Sequence, residues 1–131
     1  MILDTSYLID LLRGKNENVI KKANELDNRF TIKSISSVSV MELWRGALQN
    51  LDSAAEKKKV NELINSLNIL SFTSEVAKKA GEIEAELIKN GNMVDLEDIM
   101  IAATAMTRNE KVLTRNIQHF SRISGLALES Y

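Results

Sequence analysis

Asp4, Glu42 and Asp98 lie far apart in a chain of 131 residues, yet each stands at the kind of junction where chemistry gathers. Asp4 ends the apolar run Ile2–Asp4, Glu42 falls in the first turn of a helical pattern after a strand-like segment, and Asp98 opens the apolar stretch "IMIAATA". Carboxylates brought together repel and raise one another's pKa unless a cation neutralises them. An all-oxygen ligand set suits magnesium, with manganese as the alternative, and not zinc or copper. Magnesium keeps several waters at ~2.0–2.1 Å, so a few carboxylates suffice. Such an ion would supply an activated water and neutralise charge on a phosphodiester. Asp4 and Asp98 are the expected metal ligands, with Glu42 beside them.

The elements around these residues must bring them to one place. Alternation and apolar runs predict strands at Ile2–Asp4, Phe30–Ile35, Asn68–Phe72, Lys111–Thr114 and Leu126–Leu128. Helical spacing predicts helices over Tyr7–Leu12, Val19–Leu26, Val40–Leu48, Ser53 to about Leu67, Ser74–Lys89 and Asp98–Met106. Ser39-x-x-Glu42 and Ser53-x-x-Glu56 have capping-box spacing, and Gly91 stands where a helix should stop. Strands alternating with helices imply an α/β fold, three layers α/β/α around a mostly parallel sheet. Such sheets bind ligands at the carboxyl ends of their strands. Asp4 ends a strand, Glu42 starts a following helix, and Asp98 starts the helix leading into the strand that ends at Thr114. All three belong at that edge.

Length and composition set limits. The chain is the size of one domain, residues 1–131, and a 44% hydrophobic, 27% charged composition is that of a globular protein. With a net charge of -1, contact with a polyanion requires a local basic patch. The absence of cysteine removes disulfides, thiolate metal sites and a cysteine nucleophile, and fits a reducing, cytoplasmic setting. No apolar run approaches a membrane span and no signal peptide is visible, so no membrane role is expected. No glycine-rich loop precedes a Lys-Ser or Lys-Thr pair, which removes P-loop chemistry.

Each residue also has a plainer role open to it. Glu42 is explained equally well as the acidic member of its capping box, and Asp95 reads as a helix-start acid favoured by the dipole. Asp98 is harder to explain away, because a carboxylate beside a buried face costs free energy without a partner. His119, the only histidine, reads as a surface-turn residue. Lys57, Lys58 and Lys59 splay around a helix and read as a solvated face, and Trp44 and Leu48 as core or dimer contacts.

In this order, "MILDTSYLIDLL", "SSVSVMELWRGA", "EDIMIAATA" and "VLTRNIQHF" resemble the PIN domains, particularly the VapC-type toxins of prokaryotic toxin–antitoxin pairs. The resemblance runs over essentially the whole chain. It implies a magnesium-dependent endoribonuclease acting on RNA, a homodimer, and inhibition by a small antitoxin. By position, Asp4, Glu42 and Asp98 resemble the first three acidic residues of the family's site. Thr5 and Ser6 match the small polar residues after the first aspartate, and Thr114 the hydroxyl residue ending the fourth strand. The departure is Asn116, where many PIN domains carry a fourth acid; its amide can accept a hydrogen bond but adds no charge. Arg13, Lys15, Arg45 and Arg115 flank these motifs and are candidate phosphate contacts. Two other readings remain: a catalytically silent PIN-like binding module, and a receiver-like phosphoacceptor domain. The second lacks an aspartate at the ends of its second and third strands.

Overall fold

The computed structural model covers residues 1–131. Five short strands, β1 (Ile2–Leu3), β2 (Ser34–Ser36), β3 (Asn68–Leu70), β4 (Val112–Leu113) and β5 (Leu128–Glu129), form one sheet in the order β3-β2-β1-β4-β5. Every pairing is parallel. Helices α1 (Thr5–Arg13) and α2 (Glu17–Asn28) follow β1, α3 (Ser37–Leu48) and α4 (Ser53–Asn65) follow β2, and α5 (Ser74–Lys89) and α6 (Leu96–Thr107) follow β3. A one-turn helix, α7 (Ile117–Phe120), follows β4.

The period of two along each strand divides the apolar side chains between two cores. Ile2, Leu70 and Val112 point into one, with Val76, Ala80 and Ile83 of α5 and Ile99 and Ala103 of α6. Leu3, Ile35 and Leu113 point into the other, with Tyr7 and Leu8 of α1, Val19 and Leu26 of α2, and Leu43 of α3. The result is the expected three-layer α/β/α arrangement. No helix is long and apolar enough to cross a membrane.

Chain order reverses at β1, which has β2 on one side and β4 on the other. That is a topological switch point, where the following connections diverge and leave a crevice beyond the strand ends. Asp4 and Thr114 are the residues leaving these two central strands, and the register Leu3↔Leu113 sets them side by side.

Local signals at the helix ends differ from expectation in instructive ways. The helix carrying Glu42 begins three residues early, with Ser36 as its cap accepting from Val38 N. Ser39 and Glu42 therefore lie inside the helix and do not form a capping box. The next helix is capped by Asp52, which accepts from Ala55 N, and Glu56 pairs with Lys59. Strand β2 starts at Ser34, and Phe30 is an exposed turn residue at φ 52. Gly91 does stop α5, at φ 70, with Asn92 N reaching back to Leu87 O.

Ile101 is wholly buried between α6 and the sheet, whereas Leu51 is fully exposed. Ile101→Ala should cost about 2–5 kcal/mol in urea unfolding, and Leu51→Ala should stay within about 0.5 kcal/mol.

Candidate active site

Asp4 follows β1 directly and occupies the N-cap position of α1 at φ -67, ψ 151, with no capping hydrogen bond from its side chain. It is only 2% exposed. Ser6 Oγ donates to Asp4 Oδ2 at 2.6 Å and Thr114 Oγ1 donates to the same oxygen at 2.7 Å. The other oxygen, Oδ1, has no protein donor. Since no sealed side-chain polar atom lacks a partner, Oδ1 keeps some contact with solvent.

Glu42 lies across from it on the second turn of α3. Thr5 Oγ1 is 2.7 Å from Glu42 Oε1 and 3.0 Å from Ser39 Oγ. A hydroxyl has one proton, and the charged acceptor makes the stronger bond. Thr5 therefore donates to Glu42, and Ser39 donates to Thr5. Burial pushes the Glu42 carboxyl up; Thr5 opposes this, Asp4 and Glu97 add to it, and Arg45 pulls it down.

Asp98, in the first turn of α6, has no hydrogen-bond donor and no ion-pair partner. Burial first, then the charges of Asp4, Asp95, Glu42 and Glu97, raise its pKa from 3.8 to about 7. The three expected residues are thus electrostatically coupled at one sheet edge, although they come from β1, α3 and α6. None of these five acids forms a salt bridge. Asp95 occupies the N-cap position of α6 without a side-chain capping bond, and its charge is one of those that raise the Asp98 pKa.

A divalent cation fits this donor set. The ligands are oxygens only, one Asp4 oxygen has no protein donor, and the charge of ionised Asp98 has no ion-pair partner in the protein. The carboxylates do not close into a ready-made cage, and magnesium usually keeps several waters and takes one or two carboxylates.

Around the acids the remaining candidates separate. Thr5, Ser6 and Thr114 spend their hydroxyls on carboxylates. Asn116 starts α7 and donates its backbone N–H to Thr114 Oγ1 at 2.9 Å, with no capping bond from its side chain. Arg13 and Lys15 line a groove of about 470 Å³ that also contains Glu42, with Ile9, Leu12 and Ala47 in its wall. Arg115 pairs with Asp10, at 2.8 and 3.1 Å. His119 is exposed, and Trp44 packs on the α1-side core with Lys57 Nζ 5.9 Å from its ring. Asp10, Ser39, Glu97 and Tyr131 are contributors that sequence reasoning missed. Asp10, a lone acid in the apolar run "YLIDLL", carried the same signal that singled out Asp98.

The profile of the PIN domain matches residues 1–126. The chain belongs to the PIN-domain family. Among proteins similar to this PIN domain is the tRNA(fMet)-specific endonuclease VapC of Salmonella typhimurium (strain LT2), 33% identical over 130 residues spanning 99% of this chain and 96% of the relative. The DNA-bound VapBC structure from Salmonella typhimurium superposes at a TM-score of 0.89 with 33% identity, covering 98% of this chain and 96% of the other. VapBC2 from Rickettsia felis, bound to a DNA fragment from its promoter, gives 0.90 at 25% identity, covering 99% and 97%.

A carboxyl with a raised folded pKa binds more protons folded than unfolded, so stability falls as pH rises between the two values. For Asp98 that window runs from 3.8 to about 7, and the cost is fully present above it. Asp98→Asn should stabilise the metal-free PIN domain at pH 8 by about 1–2 kcal/mol, allowing for solvent screening at a half-buried site. Thermal melts at pH 4 and pH 8 check this: the gain should vanish at the lower pH. Manganese should raise the melting temperature of the parent more than that of the variant.

Proposed function

We propose that the protein is a divalent-metal-dependent endoribonuclease, using magnesium or manganese, and the toxin of a toxin–antitoxin pair. The observation that carries this reading is Asp98: a half-buried carboxyl with no donor, within electrostatic reach of Asp4 in a group of unpaired acids. Divalent-metal dependence is typical of PIN domains, and the solved neighbours are VapBC toxin–antitoxin complexes. In this reading Asp4 and Asp98 hold the cation, which when bound supplies an activated water and offsets charge on the scissile phosphate.

The protein's own groups do the rest. Ser6 and Thr114 hold Asp4 by one oxygen and keep the other turned outward. Thr5, steadied by Ser39, orients Glu42, whose raised pKa makes it a stronger base than an ordinary carboxylate. Asn116 offers a neutral amide at the crevice rim. Arg13, Lys15 and Arg45 stand close enough to Glu42 to meet RNA phosphates. A small antitoxin as inhibitor and a homodimeric assembly complete the proposal.

The Salmonella relative is named for tRNA(fMet), which makes initiator tRNA the first substrate to test beside an unstructured RNA. Cleavage should require magnesium or manganese and stop in EDTA. Asp4→Asn and Asp98→Asn should each lose more than the ~10–100-fold typical of residues that only support a metal ligand. Glu42→Gln should lower turnover and flatten the rise of rate with pH. Cleavage that persists in EDTA, or in both aspartate variants, would refute the metal-carboxylate mechanism.

A further inference from the structure

Asp10 is a buried carboxylate on α1, 6% exposed, and it is the only acid near the site that the protein pairs fully. Arg115 Nη1 donates to both of its oxygens, and Tyr131 Oη donates to Oδ2 at 3.0 Å. The Tyr131 ring meets the buried Tyr7 ring edge-on, with centroids 4.9 Å apart, and its hydroxyl lies beside Ser6. Removing either partner would leave a buried charge poorly compensated, so the three residues hold together as a unit.

What this unit joins matters for the site. Arg115 stands between Thr114, whose hydroxyl donates to Asp4, and Asn116, whose N–H donates to that same hydroxyl. The Thr114 hydroxyl points at Asp4 only while this turn keeps its shape. Asp10 lies on the helix that Asp4 caps and that carries Ser6, the second donor to Asp4 Oδ2. We propose that Asp10, Arg115 and Tyr131 are positioning residues: they lock the 114–116 turn to α1 and thereby keep Asp4 Oδ1 aimed into the crevice.

The inference rests on the metal-site reading above, and manganese affinity separates its fate from that of the nuclease reading. The variants are Tyr131→Phe, which removes one hydroxyl and keeps the ring on Tyr7, Arg115→Gln and Arg115→Lys. Manganese affinity by titration calorimetry, melting temperature, and kcat and KM on RNA are measured for each. Tyr131→Phe and Arg115→Gln should weaken manganese binding and lower kcat by about 10-fold or more at nearly unchanged KM. Arg115→Lys should recover part of both, since it keeps a charge for Asp10.

A phosphate contact by Arg115 gives the opposite split: KM raised and more salt-dependent, with kcat and manganese affinity kept. That pattern overturns the proposal, as does a Tyr131→Phe protein that binds manganese like the parent. If Arg115→Gln fails to fold, Tyr131→Phe alone decides. If the parent binds manganese but cuts no RNA, the nuclease reading fails while the affinity differences still judge the latch. A parent that binds no manganese overturns both.

Discussion

Asp4, Glu42, Asp95, Glu97 and Asp98 lie within electrostatic reach of Glu42 or Asp98, and no lysine or arginine forms an ion pair with any of them. Like charges gathered in a half-buried crevice work against folding. The chain tolerates this because the rest of the structure forces the acids together. Parallel pairing of β1 with β4 fixes Asp4, and packing of α3 and α6 against the two faces fixes Glu42 and Asp98. Burial of two apolar cores outweighs this cost, and Asp98, through its own burial first and the neighbouring charges second, holds its proton up to about pH 7.

The contrast between Asp10 and Asp98 shows how the charge is kept available. Both acids sit on helices against a core. Asp10 receives an arginine and a tyrosine hydroxyl and is closed off. Asp98 receives nothing. Asp4 and Glu42 take an intermediate course, held by Ser6, Thr114 and Thr5 through neutral hydroxyls. A hydroxyl orients a carboxylate without cancelling its charge, and it occupies one oxygen while leaving the other free. An arginine in the same place would neutralise the site and fill it. Serine and threonine at these positions therefore preserve demand for a cation.

The α/β architecture was legible because long amphipathic helices and short apolar runs carry distinct periods, and α5 from Ser74 to Lys89 fell where its spacing and Gly91 set it. The convergence of Asp4, Glu42 and Asp98 followed from the geometry of a parallel sheet edge. The capping assignments failed for a physical reason: Ser36, Ser37 and Ser39 are equivalent in sequence, and only tertiary packing decides which one ends the strand. Ser36 caps the helix, Ser37 Oγ accepts from Phe72 N, and Ser39 supports Thr5. Glu42 is thereby freed from the local role that sequence allowed it. Arg115 was read as a phosphate contact because Asp10 is 105 residues away in the chain, and no local pattern reports such a pair.

Asn116 bears on how many cations the proposed site would hold. Its amide sits at the start of α7, on the β4 side of Asp4, and it brings no charge. Glu42, Asp95, Glu97 and Asp98 all come from α3 and from the beginning of α6 and its N-cap. The acids whose charges bear on Asp98 are therefore Asp4, Glu42, Asp95 and Glu97, and none comes from α7. A second divalent ion beside Asn116 would have Asp4 as its one charged ligand, and Asp4 Oδ2 is already occupied by two hydroxyls. Under the metal-site reading proposed above, one cation would be held better than two, and Asn116 would accept from water or from substrate in place of binding metal.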